Sequence, residues 1–126
     1  MRRVALATAS AILLAGCAST GVAPRPATIS HIVLIRLDDP TRAAELIADS
    51  DRLLATIPGV VSYSAGTHLD TGRANVLGDY DVGLYIGYDS TADYAGYVEH
   101  PQHVELVQKW RTEAEIVVRD FVDPTP

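Results

Sequence analysis

The feature that most constrains the fold is a short strand that is apolar on both of its faces. Residues 31–37 read His-Ile-Val-Leu-Ile-Arg-Leu, a composition typical of a strand that is covered on both sides. Patterns of β-branched, aromatic and alternating apolar residues predict three more strands at 60–69, 80–88 and 115–122. A chain of 126 residues must therefore cover two apolar faces of one sheet.

Two helical segments separate these strands. Asp39 and Pro40 supply an N-cap and a first helical residue, and apolar residues then recur at helical spacing until a Pro-Gly pair. A second helix begins near Ser90, which forms a capping-box pattern with Asp93, and Pro101 divides it from a short further helix. The first apolar stripe comprises Ala43, Leu46, Ile47, Leu54 and Ile57.

The element order is β-α-β-β-α-β, which predicts an α+β, ferredoxin-like domain. In such a domain a four-stranded antiparallel sheet has its helices on one face. The opposite face is left bare by the helices, although the strands are apolar there too. An exposed apolar sheet of this size favours association, and a two-fold axis covers it with a single patch. We therefore expect a homodimer in which two sheets face each other as a dimeric α/β barrel.

The amino terminus has the layout of a bacterial lipoprotein signal. A positive head, Met1-Arg2-Arg3, precedes an apolar stretch at 4–14 that is too short to span a bilayer as a helix. The stretch ends in Leu14-Ala15-Gly16-Cys17, which resembles a lipobox and contains the one cysteine of the chain. The alternatives are an ordinary signal peptide with an unrelated cysteine, or a buried helix. The predicted organisation is a signal peptide at 1–16, lipidation of Cys17, a flexible tether at 17–28 and a domain at 29–123.

Lipid on Cys17 is the expected attachment to a membrane. Ala18 follows the cysteine in place of the aspartate that resembles an inner-membrane retention signal, so the periplasmic face of the outer membrane is the expected address. The chain has 10 basic and 16 acidic side chains, a formal net charge of −6, and two of the basic ones lie in the predicted signal peptide. Such an acidic domain argues against nucleic-acid binding and against electrostatic docking on anionic lipid.

Groups that exchange protons near neutral pH are concentrated between Tyr97 and His103. From spacing alone the structural interpretation is also open: Tyr97 is then a core aromatic, His100 caps the helix that begins at Pro101, and His31 is a hydrogen-bonded strand histidine. His100 and His103 have a spacing that can chelate, but the intervening proline and the lack of an accompanying carboxylate pattern predict no metal site. No glycine-rich phosphate loop is present, and no cofactor is expected.

The run Tyr97-x-x-His100-Pro101-x-His103, the strand before it and His31 at the start of the first strand together resemble the stress-responsive dimeric α/β-barrel family, often called Dabb. The resemblance covers nearly the whole domain that follows the predicted tether. It implies the same ferredoxin-like fold and the same dimeric barrel that the element order predicts.

The resemblance also implies roles for individual residues. A plant polyketide cyclase of this family uses a tyrosine and a histidine in a cleft between sheet and helices, where the histidine takes a proton from carbon and the phenol steadies a carbonyl oxygen. Tyr97 falls on that tyrosine, His103 on that histidine, and His31 on a first-strand histidine that lines the same region. Val82 stands where the plant enzyme has a further pocket histidine.

Three functions remain open at this level. The first is binding of a small, largely apolar molecule in the barrel cleft. The second is an enzyme of cyclase, isomerase or monooxygenase type, with His103 as base, Tyr97 as hydrogen-bond donor and His31 as a further candidate. The third is a structural stress protein without turnover, which would form larger assemblies and be indifferent to changes in the cleft.

Overall fold

The computed structural model describes residues 21–124, which contain four strands and three α-helices. The predicted signal peptide and Cys17 lie outside the described residues. The strands are β1 (Ile29–Leu37), β2 (Val60–Thr67), β3 (Val82–Tyr88) and β4 (Ala114–Val122), and the helices are α1 (Ala43–Leu54), α2 (Thr91–Glu99) and α3 (Pro101–Trp110). Within the described part of the chain, none of the helices has the length and apolar character needed to cross a membrane.

The strands form one antiparallel sheet in the order β2-β3-β1-β4. Val33 of β1 lies opposite Leu84 of β3 on one side and Val118 of β4 on the other, so these three side chains share one face of the sheet. Over β1 and β3 that face is covered by the helices and forms the core, whereas Val118 on the edge strand β4 is 41% exposed. The predicted ferredoxin-like α+β fold, with its helices on one face of a four-stranded sheet, is confirmed. The buried residues of β1 and β3 on this face are Ile29, His31, Val33, Ile35, Leu37, Val82, Leu84, Ile86 and Tyr88.

The predicted boundaries of the β2–β3 hairpin are wrong by two residues at each inner end. β2 ends at Thr67 and β3 begins at Val82. One more hydrogen bond, from the His68 amide to the Asp81 carbonyl at 3.3 Å, follows the hairpin ladder, and the other polar groups of Asp81 bond to β1. The Asp81 amide donates to the carbonyl of Ile35, and the Leu37 amide donates to the Asp81 carboxylate, both at a distance of 2.8 Å. A polar side chain thus closes the end of β1, a role that the alternation of apolar residues does not reveal.

The helix starts agree more closely with their capping signals. The Ser90 hydroxyl accepts a hydrogen bond from the Asp93 amide at 3.1 Å and caps α2, as predicted. Asp39 is also a cap, but of a single 3-10 turn (Pro40–Arg42) that leads into α1. The first helix is shorter than its apolar stripe, because Ile57 packs into the core from the turn that follows Leu54.

The second face of the sheet is uncovered by any helix of the described residues. Its side chains alternate with those of the core face and include several apolar groups that are half-buried or exposed. Phe121, for example, is 56% exposed. The predicted apolar open face is therefore present. Its larger apolar residues are Ile32, Leu34, Tyr85, Val117 and Phe121.

Candidate functional site

The junction between α2 and α3 fixes the orientation of His103. The Gln102 amide donates to Nδ1 of His100 at 3.3 Å instead of to the Val98 carbonyl, which it would meet in a continuous helix. Nδ1–H of His103 donates to the Val98 carbonyl at 2.8 Å instead. In this tautomer the lone pair of the neutral imidazole is on Nε2. The predicted capping role of His100 is confirmed, and the break at Pro101 accounts for both contacts.

A cleft of about 270 Å³ lies between the sheet and the helices α2 and α3. It brings together all three predicted site residues, since His31, Tyr97 and His103 all line it. The ring centroids of Tyr97 and His103 are 4.6 Å apart, and those of Tyr97 and His31 are 5.9 Å apart. Most of the remaining lining is aliphatic or aromatic, including Leu46, Leu54, Leu106, Trp110 and Val118.

Two further polar residues of the site, Asp120 and Tyr94, form a hydrogen-bonded chain with His31. His31 and Asp120 lie directly opposite each other on β1 and β4, and Nδ1 of His31 is 2.6 Å from Oδ1 of Asp120. The Tyr94 hydroxyl donates to Oδ2 of the same carboxylate at 2.9 Å. Because an ionised carboxylate only accepts, Asp120 selects the His31 tautomer that donates from Nδ1–H and has its lone pair on Nε2.

Neither Asp120 nor Tyr94 was predicted as a site residue, although one signal for Asp120 is present in the chain. The helix face of β4 reads Ala114, Ile116, Val118, Asp120 and Val122. A carboxylate in an otherwise apolar row that faces a core needs a partner there. The strand register that makes His31 this partner is a property of the tertiary fold, which residue spacing alone does not provide.

The three phenols around the cleft are protonated at neutral pH. Burial raises the pKa of Tyr97, which is only 1% exposed. Burial and the hydrogen bond to Asp120 raise the pKa of Tyr94 to about 12. Burial also raises the pKa of Tyr88, whose ring stacks on Tyr94 but lies outside the cleft lining. The phenols of the cleft therefore serve as hydrogen-bond donors.

The pKa of His103 is shifted in the opposite direction, downwards. Burial lowers its pKa, and the nearby His31 acts in the same direction, whereas the hydrogen bond to the Val98 carbonyl opposes them. The net shift is downwards, so His103 is neutral near pH 7. A neutral imidazole with a free Nε2 is a proton acceptor beside the phenol donors.

We expect the free energy of unfolding to decrease when the pH falls below about 6.5, in part because of His103. The ordinary histidine pKa is 6.5, and burial lowers it in the folded protein. Between these two pKa values the unfolded chain binds a proton at His103 more readily than the folded protein does. The stability that neutral His103 contributes is therefore complete above pH 6.5 and is lost as the pH falls towards the folded-state pKa. Urea titrations at several pH values measure the slope of the free energy of unfolding against pH. His103→Gln should flatten it, and equal slopes in parent and variant would contradict this account.

The described residues contain no group of three His, Cys, Asp or Glu side chains that could hold a metal ion. His100 and His103, the pair with chelating spacing, both direct Nδ1 to backbone groups.

A family model described as the stress responsive A/B barrel domain matches residues 29–123. No curated sequence matches. A dimeric ferredoxin-like protein of unknown function from Thermobifida fusca is 27% identical, with a TM-score of 0.63, and the match covers 75% of this chain and 90% of that one.

Two more distant structures share the fold. A Dabb family protein from Mesorhizobium loti is 24% identical, with a TM-score of 0.64, over 77% of this chain and 97% of its own. A hydroxynitrile lyase from Passiflora edulis is 22% identical, with a TM-score of 0.64, over 81% and 99% of the two chains. The family model matches most of the length of the present chain, residues 29–123, and the chain therefore belongs to the stress-responsive A/B barrel domain family.

Proposed function

We propose that the protein binds a small, largely apolar molecule in the cleft between the sheet and the helices α2 and α3. The observation that carries this proposal is the combination of an apolar cleft with two imidazoles that are each held through Nδ1. His31 is held by Asp120 and His103 by the Val98 carbonyl. Clefts of this kind, with few convergent polar groups in an apolar lining, are typical of small-molecule sites.

The polar groups define what the ligand must offer. The phenol of Tyr97 needs an acceptor such as a carbonyl or hydroxyl oxygen, and a free Nε2 needs a hydroxyl or an acidic C–H. A compact molecule with an apolar body and one oxygen-bearing end satisfies both requirements. A volume of about 270 Å³ is slightly below the usual range of ligand pockets, which starts at about 300 Å³, and this favours a small metabolite.

A second candidate function is acid–base catalysis in the same cleft. The lowered pKa of His103 makes it a neutral base, and the Tyr97 ring beside it carries a donor for a developing oxyanion. That a hydroxynitrile lyase has this fold supports an enzymatic role without indicating the substrate. The reaction class would be proton abstraction next to a carbonyl, as in a cyclase or an isomerase.

A cleft-filling variant tests the binding proposal. Val98 lines the cleft and is 43% exposed, whereas Val104 on α3 is similarly exposed at 38% but lies outside the lining. A ligand present at about 100 times its Kd should stabilise the protein by about 2.7 kcal/mol and raise Tm by about 10 °C. In a thermal-shift screen of small apolar metabolites, Val98→Trp should abolish the shift and Val104→Trp should retain it. Equal shifts in both variants would place binding elsewhere.

The open face of the sheet supports a homodimer. It carries apolar side chains that the helices leave uncovered, and a related structure from Thermobifida fusca is described as dimeric. A second copy placed face to face would bury this surface on both chains. The cleft lies on the other side of the sheet, so each protomer would keep its own site.

We further propose that the domain is tethered to the periplasmic face of the outer membrane by lipid on Cys17. The signal-like residues before the cysteine and the alanine after it support this. Cys17→Ser should move the protein from the membrane fraction to the soluble periplasmic or secreted fraction in the native host, because several acyl chains hold firmly and none would remain. Membrane retention of the variant would contradict lipid anchoring.

A further inference from the structure

A second cavity lies on the opposite side of the sheet from the cleft. It has a volume of about 400 Å³ and is formed between the open faces of β1 and β4 and the loop that connects β2 to β3. Leu34 of β1 and Val117 of β4 are register partners at its floor, and Leu77 of the loop contributes an apolar wall. The volume is within the usual range for small-molecule pockets.

The loop is held in place by contacts of its own. The Tyr80 ring lies against the sheet at Gly83, where an added Cβ would be 3.5 Å from Cε2 of the tyrosine. His68 packs edge-to-face on Tyr80 with ring centroids 5.3 Å apart, and it also contacts Gly78. The hydrogen bonds of Asp81 to β1 fix the end of the loop. The wall of the cavity is therefore part of the fold.

The charges of the cavity are unevenly distributed. At one end Arg36 forms an ion pair with Glu115. Asp79 lies at the same end, because Asp81, two residues further along the loop, bonds to Leu37 of β1. Arg119 lies four residues along β4 from Glu115, about 13 Å away at strand spacing. Its guanidinium donates only to the neighbouring Val118 carbonyl at 2.9 Å, and within residues 21–124 it has no carboxylate partner.

We propose that this cavity binds a small organic carboxylate, whose anionic end pairs with Arg119 and whose apolar body lies on Leu34 and Val117. A guanidinium has five N–H donors in a planar fork that matches a carboxylate. The acidic groups Glu115 and Asp79 are at the far end, so the anion is attracted to one end only. If a second copy covers the open face, the cavity becomes more enclosed and the interaction with Arg119 becomes stronger.

Methyl-detected NMR distinguishes this site from the cleft. Val117 and Val118 are adjacent in β4 but point to opposite faces of the sheet, and they line the cavity and the cleft respectively. Titration of the protein with hexanoate should shift the Val117 and Leu34 methyl signals in a saturable manner. Arg119→Gln should weaken hexanoate binding at least about tenfold, whereas the neutral analogue hexanamide should bind parent and variant alike.

Arg52→Gln is the matched control, because Arg52 is an exposed arginine of α1 outside the cavity, and it should leave hexanoate binding unchanged. Shifts confined to Val118 would overturn this inference while supporting ligand binding in the cleft. Equal hexanoate affinity in parent and Arg119→Gln would also overturn it. So would a weaker dimer in Arg119→Gln with unchanged hexanoate binding, since Arg119 would then serve the interface between copies.

Discussion

Replacing Tyr97 with alanine should lower the free energy of unfolding by about 3–5 kcal/mol. The side chain is 1% exposed, and its ring contacts those of Tyr88, His31 and His103, with centroids 5.2, 5.9 and 4.6 Å away. Truncation would remove these contacts and enlarge the cleft into a cavity that the rigid sheet cannot fill. Urea denaturation of parent and variant, both followed by tryptophan fluorescence, measures the difference.

Tyr97→Phe separates the ring from its hydroxyl. The phenylalanine keeps the ring contacts and removes only the hydroxyl, which interacts with the neighbouring Tyr88 hydroxyl. We therefore expect a loss of less than about 1 kcal/mol, so this variant is a folded probe of the hydroxyl. A loss as large as that of the alanine variant would show that the hydroxyl holds the core together. A loss below about 1 kcal/mol in the alanine variant would mean that Tyr97 is outside the core.

If the cleft catalyses proton abstraction, His103→Ala should lower kcat/KM by about 10²–10⁴-fold, the usual contribution of a general base. Nε2 of His103 is the free nitrogen of a neutral imidazole, since Nδ1 is bound to the Val98 carbonyl. Tyr97→Phe should lower kcat/KM by about 10²–10³-fold through loss of an oxyanion donor. Steady-state kinetics with a β-polyketide or a related enolisable substrate provide the measurement.

His68→Ala is the control for this experiment. His68 packs on Tyr80 and lies outside the cleft lining, so its loss should leave kcat/KM within a few-fold of the parent. Activity that survives both His103→Ala and Tyr97→Phe would exclude the proposed mechanism. If a ligand binds in the cleft and is not converted to a product, the function of the cleft is binding and not catalysis.

The order of the strands and helices was predictable because each element has a local signal. The β-branched run of β1, the capping pattern at Ser90 and the proline that begins α3 all depend on near neighbours in sequence. The missed boundaries of the β2–β3 hairpin depend on a distant contact, the bonds of Asp81 to β1. The open apolar face was also predictable, because alternation along a strand assigns each side chain to a face.

The candidate site was only partly predictable. Resemblance to the family indicated His31, Tyr97 and His103, and the structure places all three in one cleft. The chain from His31 through Asp120 to Tyr94 was not expected, because it joins residues 89 and 26 positions apart in sequence. The second cavity was missed for the same reason: Arg119 and the loop near Leu77 meet only in the folded domain.

Native mass spectrometry of the protein, extracted gently from its own host, tests ligand binding in the cleft most directly. We predict a dimer that carries a defined small-molecule mass, which is lost in Val98→Trp and retained in Val104→Trp. A protein from which no small molecule is recovered, and which gains none from the metabolites of its host, would contradict the proposed binding function. A bound mass retained in Val98→Trp would contradict the assignment of that function to the cleft.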